Sequence, residues 1–268
     1  MPIKCLSIAG FDGSGGAGIQ ADIKTFSALG CYAMTVLTAL PVQNTLGVRS
    51  CYEISLAAIA AQLEAIFDDI VPDSIKIGML FNQEIVELVA DFLQQRAVGI
   101  PIILDPVMVA KSGDYLLLPD AVAALKQRLL PLATLITPNL PEAYVLAEPS
   151  EDMSLLAGKL LDLGAQAVLL KGGHQQGADS NDLFMAQDRQ EIWLTGPRIA
   201  SKNTHGTGCT LSAAIAANVA LSLPLVEACR RAKQYVFEAL VAAQPWSIGK
   251  GQGPVHHFHH LWPALNNG

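Results

Sequence analysis

The run Gly206-Thr207-Gly208-Cys209 leads into a long pattern of small residues, Leu211-Ser212-Ala213-Ala214-Ile215-Ala216-Ala217. Glycines entering a helix leave several backbone N–H groups unpaired and aimed outward, and the helix dipole adds roughly half a positive charge there. Such a site can hold the charge that builds on a transferring phosphoryl group, the dominant requirement of phosphoryl transfer. It is not a P-loop, because G-x-x-x-x-G-K-[ST] occurs nowhere in the chain. The structural alternative is a plain glycine-rich helix start. Cys209 falls in the first helical turn, where a thiol pKa tends to fall; its competing reading is a small buried residue.

A second glycine run, Gly13-Ser14-Gly15-Gly16-Ala17-Gly18, satisfies G-x-G-x-x-G between a strand and a helix. A dinucleotide fold also needs an acidic residue at the end of its second strand, about 20 positions on. Here Leu37-Thr38-Ala39-Leu40-Pro41-Val42-Gln43-Asn44 carries none, and the next carboxylate is Glu53. NAD and FAD are therefore set aside. The glycines either reverse the chain or let backbone approach a flat substrate closely. Asp12 and Asp22 then become hydrogen-bond candidates, and Asp22 reads equally well as a solvated first-turn carboxylate. His256-His257-Phe258-His259-His260 is the third cluster, but no cysteine or nearby carboxylate completes a metal-ligand set around it.

Positioning these groups requires alternating elements. Strands are predicted at Lys4–Ala9, Ala33–Thr38, Ser74–Ile77, Ile100–Leu104, Thr134–Ile136 and Ala167–Leu170. Helices are predicted at Ile19–Leu29, Leu56–Asp68, Gln83–Gln95, Ala121–Leu130 and Leu155–Leu163, with Cys209–Leu221 and Val226–Ala243 closing the chain. Asp182–Phe184 and Glu191–Leu194 suggest an edge hairpin. This order implies βαβ units around a largely parallel sheet, in one domain spanning 1–268. Ligands gather at the carboxyl ends of such strands. Gly10–Gly18, Asp105, Asn139–Glu142 and Lys171-Gly172-Gly173 all fall there.

Composition narrows the class. Apolar residues make up 51% of the 268 and charged residues 15%, which excludes disorder and suits a sheet covered on both faces. The net charge of −7 and 17 scattered basic residues give no stripe for nucleic acid. No apolar run of ~18 residues is free of interruption, so no membrane span is expected. Met1-Pro2-Ile3-Lys4 opens straight into a strand, without a signal-peptide pattern. The five cysteines are odd in number and lack a C-x-x-C pair, which reads as reduced thiols in a cytoplasmic protein.

Asn203-Thr204-His205-Gly206-Thr207-Gly208-Cys209-Thr210 resembles the signature of the hydroxymethylpyrimidine and phosphomethylpyrimidine kinases of thiamine biosynthesis, a branch of the ribokinase superfamily. The resemblance extends over nearly the whole chain. It includes Ser14–Asp22, Thr38-Ala39, Val42–Thr45, Lys76–Leu80, Asp105–Asp114, Thr137–Ala143, Lys171–His174 and Gly253–Phe258. It implies an α/β fold of three layers, α/β/α, with a central, mostly parallel sheet, often paired as a homodimer. The implied reaction is phosphorylation of a small-molecule alcohol by ATP with Mg2+, then of the resulting monophosphate; pyridoxal kinase is the alternative. By the same resemblance the pyrimidine pocket corresponds to Gly10, Ala17, Asp22, Gln43, Met79 and Val107. Thr204, Gly206, Thr207, Gly208, Asn139 and Lys171 face the ATP phosphates, Asp105 and Glu142 hold magnesium, and Cys209 and Lys171 are catalytic. Most ribokinase relatives have aspartate where Cys209 stands, as base for a hydroxyl. A neutral thiol suits a second acceptor that is already anionic. Phe11 and Gly13 depart from the family, which usually has Ser or Thr at the first position and Pro, Ser or Thr at the second.

Overall fold

The computed structural model describes residues 1–108, 119–173 and 177–262. The Val109–Asp114 part of the aspartate motif, and His174, lie outside the described residues.

The chain opens with β1 (Lys4–Ala9), α1 (Gly18–Ala28) and β2 (Tyr32–Leu37), then a ribbon of β3 (Ala39–Asn44) and β4 (Gly47–Glu53). There follow α2 (Leu56–Phe67), β5 (Ser74–Ile77), α3 (Gln83–Arg96), β6 (Ile102–Leu104), α4 (Pro119–Ala124), β7 (Leu135–Ile136), α5 (Leu140–Leu146) and α6 (Met153–Leu161). The last third holds β8 (Ala167–Leu170), β9 (Asp182–Ala186), β10 (Glu191–Leu194), α7 (Thr207–Ala220) and α8 (Leu225–Ala243). Among the described residues eight strands form one sheet in the order β10-β9-β8-β7-β6-β5-β1-β2. From β2 through β8 the pairings are parallel; β9 and β10 add antiparallel at one edge, as the predicted hairpin requires.

The strands are apolar on both faces because helices cover both. Residues alternate between two cores, since successive side chains point to opposite faces. Leu6, Ile8, Ile102, Leu104, Val168 and Leu170 join α2, α3, α5 and α6 in one core. Cys5, Ile103, Ala167 and Leu169 join α1, α7 and α8 in the other. The expected three-layer α/β/α architecture is what forms.

Three local departures have physical causes. The helix predicted over Ala121–Leu130 is α only to Ala124, then a π turn at Leu125–Leu129 and a 3-10 turn at Leu130–Leu132. Pro131 has no N–H and its ring crowds the carbonyl four residues back, so the α ladder cannot pass it. The β3–β4 ribbon escapes sequence reading because Pro41 argues against a strand; a two-stranded ribbon tolerates it, as both strands are edges. The seven-residue α5 is too short for periodicity to declare.

Candidate active site

The N-terminus of α7 is the centre of the site. Gly206 is its N-cap with φ +78°, and a Cβ there would stand 1.7 Å from the Gly16 carbonyl oxygen. Only glycine lets the two glycine loops meet. A Cβ on Gly208 would lie 3.4 Å from Lys171 Nζ and 3.5 Å from Asp105 Oδ2, so a cation and a carboxylate stand directly before the helix. The N–H groups of Gly208 and Cys209 have no acceptor among the described residues, as a helix start leaves them.

Strand ends deliver the side chains: β6 runs into Asp105, β7 into Thr137 and Asn139, and β8 into Lys171. Lys171 Nζ donates to Asp105 Oδ1 at 3.0 Å, Thr137 Oγ1 donates to the same oxygen at 3.1 Å, and Ser212 Oγ reaches Oδ2 at 3.4 Å. Burial opposes the charge of Lys171, but the carboxylates of Asp105 and Glu142 outweigh it and raise its pKa. The ammonium is therefore secure at neutral pH.

Asn139 and Glu142 form a capping box on α5. The Glu142 N–H donates to Asn139 Oδ1 at 2.9 Å, and the Asn139 N–H donates to Glu142 Oε2 at 2.8 Å. The N-x-x-E spacing is thus first a helix start, which also aims Glu142 towards Lys171. Burial pushes the Glu142 carboxyl up to about 7, with Lys171 lowering it and Asp105 raising it. Between the ordinary carboxylate range and about 7 the folded protein holds a proton that the unfolded chain has lost, so this group's contribution to stability falls as pH rises. Glu142→Gln should remove that dependence. Thermal melts at pH 5 and 8 should show wild type losing roughly 2–4 kcal/mol more than the variant over that interval. Parallel curves would refute the assignment.

Cys209 corrects an expectation. The first-turn position suggests a lowered pKa, but burial pushes the thiol up to about 11; Lys76 lowers it, while Asp22 and Asp105 raise it. Desolvation of a thiolate outweighs the helix dipole here. The backbone N–H of Gly18 lowers the thiol pKa in turn, which places Cys209 near the start of α1 as well as in the first turn of α7. Asp22 is likewise not a solvated carboxylate. It is fully buried and holds Lys76 Nζ at 2.8 and 3.0 Å and Ser7 Oγ at 2.5 Å. Lys76 is fully buried too, and an ion pair of this kind stands only because both partners are present. Lys76 is absent from the sequence-derived site, because a lysine inside Ser74–Ile77 reads only as part of a strand.

Asp12 organises the first glycine loop. Its carboxylate accepts from Ser14 N at 3.0 Å, Ser14 Oγ at 2.7 Å, Gly16 N at 3.1 Å and Ala17 N at 2.7 Å. It also meets His205 Nε2 at 2.7 Å, tying this loop to the α7 loop across 193 residues of sequence. Burial would raise its pKa, but the bonds to His205, Ser14 and Ala17 hold it well below the carboxylate range. His205 carries no signal of this role in sequence beyond its place in the Asn203–Thr210 run. The C-terminal histidines serve packing: His257 Nε2 meets Thr210 Oγ1 at 3.1 Å, and Tyr235 donates to the His257 carbonyl at 2.5 Å. Among the described residues no three His, Cys, Asp or Glu side chains gather as a metal-ligand group.

Of the residues assigned to the pyrimidine pocket, Asp22 is fully buried on Lys76, and Gly10, Ala17, Met79 and Val107 lie at or beside strand ends on the same rim. Gly10 follows β1 and packs against Met79, whose Sδ would stand 3.0 Å from a Cβ placed there and would have to shift. Met79 follows β5, Val107 follows β6, and Ala17 is the N-cap of α1. Gln43 sits just after a bulge between Val42 and Gln43, and bulges re-aim side chains. Its Nε2 reaches the Phe11 carbonyl at 3.4 Å. Phe11 and Gly13 prove to be one coupled feature: a Cβ on Gly13 would stand 3.1 Å from the Phe11 ring. A larger residue at 13 and phenylalanine at 11 would compete for the same space. Thr204 and Thr207 flank the α7 entrance, with Thr204 Oγ1 donating to Gln252 Oε1 at 3.2 Å.

The family model described as phosphomethylpyrimidine kinase matches residues 12–256. The hydroxymethylpyrimidine/phosphomethylpyrimidine kinase of Rhizobium meliloti is 50% identical over 267 residues, covering 98% of this chain and 99% of that protein. Among solved structures, the Staphylococcus aureus pyridoxal kinase in complex with AMP-PCP and pyridoxal superposes with a TM-score of 0.87 at 34% identity, covering 97% and 95% of the two chains. A phosphomethylpyrimidine kinase from Clostridium difficile gives 0.78 at 41% identity, covering 88% and 99%.

Proposed function

The chain belongs to the phosphomethylpyrimidine kinase family, and we propose that Cys209, Lys171 and the N-terminus of α7 carry out its reaction here. That reaction is ATP-dependent phosphorylation of 4-amino-5-hydroxymethyl-2-methylpyrimidine, and then of its monophosphate to the pyrophosphate, in thiamine biosynthesis. The observation that carries the reading is the convergence of Lys171, Asp105 and two unpaired N–H groups before Gly208.

Phosphoryl transfer asks for positioning and charge stabilisation more than for covalent chemistry. Lys171 and the N–H groups of Gly208 and Cys209 face the developing charge, with Thr204, Gly206, Thr207 and Asn139 along the ATP phosphates. Asp105 and Glu142 supply the hard oxygen donors magnesium prefers, and Glu142 Oε1 has no hydrogen-bond partner among the described residues. These two carboxylates would hold the ion, whose charge would offset that of the phosphates. The Gln43 amide both donates and accepts, which suits an aminopyrimidine edge. Gly10 and Ala17 admit the ring, and Met79 and Val107 wall it. Asp22, fully buried on Lys76 and Ser7, supports the pocket through Lys76 rather than by an open oxygen.

Parallel assays with ATP and magnesium, one on the hydroxymethylpyrimidine and one on pyridoxal, test the substrate. A higher kcat/KM for the pyrimidine is expected. Faster turnover of pyridoxal would assign the chain to the activity of its Staphylococcus aureus structural neighbour.

We read the enzyme as one domain acting in the cytoplasm as a homodimer. Five free thiols support that compartment, and no helix among the described residues is long and apolar enough to cross a membrane. The exposed Val42 and Tyr52 of the β3–β4 ribbon support a self-association face. Light scattering at the mass of one chain would overturn the dimer.

A further inference from the structure

An open groove of about 470 Å³ lies between the tip of the β3–β4 ribbon, Ser14 of the first glycine loop and the segment around Gly249. Its floor is stitched firmly. Gly251 N donates to Thr45 Oγ1 at 3.1 Å and Gln252 N to the Thr45 carbonyl at 2.9 Å. A Cβ on Gly251 would fall 1.9 Å from that carbonyl oxygen, so the two segments pass in direct backbone contact.

Two cations line the groove, Arg49 and Lys250. On the surface elsewhere, Lys4, Arg96, Arg128, Lys159, Arg189, Arg230 and Arg231 are each matched with a carboxylate, while Lys126 and Lys202 stand singly without one among the described residues. Arg49 and Lys250 have neither an ion pair nor a side-chain hydrogen bond among the described residues. Two uncommitted positive charges on one concave surface are notable in a chain of net charge −7. The place matters as much as the charge. Ser14 and Asn44 line the groove and are next in sequence to Gly13 and Gln43, at the rim of the pyrimidine pocket. The groove's lining includes none of the α7 N-terminal residues, and it connects to their loop through the Ser14–Asp12–His205 and Gln252–Thr204 hydrogen bonds.

We propose that Arg49 and Lys250 form an anion-attracting vestibule that captures phosphomonoesters and draws them to the pocket mouth. This rests on the two-step reading above, in which the second acceptor is a monophosphate. Concave surfaces of one charge sign raise the association rate of an oppositely charged ligand, and salt screens the effect. A phosphate monoester carries about −1.5 to −2 at pH 7, whereas the parent alcohol carries no such charge.

The test compares Arg49→Gln/Lys250→Gln with wild type at saturating ATP. Values of kcat/KM for the hydroxymethylpyrimidine and for its monophosphate are measured from about 20 to 300 mM salt. At low salt the double variant should lose roughly five- to tenfold for the monophosphate and less than about twofold for the alcohol. Its monophosphate profile should also flatten against salt. Equal losses on both acceptors, or a salt dependence as steep as wild type, would overturn the vestibule. Absence of monophosphate turnover in wild type would instead overturn the two-step reading, and the vestibule with it.

Discussion

Lys171→Met should lower kcat by about 10²–10³-fold, with a smaller change in KM for ATP. Lys171 Nζ lies at the mouth of the α7 N-terminus, 3.4 Å from where a Gly208 Cβ would be. It is there the side-chain cation that can meet charge on the transferred group, since Lys76 is committed to Asp22 beneath. Methionine keeps the length and the apolar stem but removes the charge. Asp105 would then lose its ion-pair partner while only 2% exposed, and breaking a buried pair costs roughly 3–5 kcal/mol. The bonds from Thr137 and Ser212 soften that loss. Circular dichroism melts therefore accompany the kinetics, and Lys171→Arg serves as a control that keeps the charge. If the folded Met variant retains kcat within about threefold of wild type, Lys171 has no catalytic part.

Cys209→Asp should separate the two phosphorylations. Aspartate introduces a carboxylate, far more acidic than a thiol, between the starts of α1 and α7, close to Lys76, Asp22 and Asp105. A hydroxyl acceptor is neutral and gains a base. A monophosphate acceptor is anionic, and like charges ~4 Å apart repel by up to about 4 kcal/mol at an effective dielectric near 20. The native thiol, pushed up to about 11, stays neutral at physiological pH and spares the acceptor that repulsion. The expected result is a loss of about 10²-fold or more in kcat/KM for the monophosphate, with the alcohol affected at least tenfold less. Cys209→Ser adds no charge and should change both steps alike. Equal losses in Cys209→Asp would sink the idea.

Much of the frame was legible in the sequence. Lys4–Ala9, Ser74–Ile77 and Ala167–Leu170 form strands with the predicted bounds, because short apolar runs between polar loops leave few alternatives. The glycines before Cys209 announce a helix start for a local reason, the geometry of the first turn. Asn139 and Glu142 were legible as a pair, but the same three-residue spacing serves a capping box and a ligand pair, and structure shows the first. Proline at 41 concealed the ribbon that carries Gln43.

What sequence by itself determined are the features fixed within a few residues: strand alternation, helix starts, the glycine loops and the branch-defining Cys209. What only the tertiary structure decided are the meetings of distant groups. Asp22 finds Lys76 54 positions away, Lys171 finds Asp105 across 66, and Asp12 finds His205 across 193. Those meetings set whether a carboxylate is solvated or buried, and whether Cys209 ionises. The reason is physical: hydrogen-bonded turns and side-chain periodicity are local, while desolvation and Coulomb energy depend on everything within several ångströms, whatever its place in the chain.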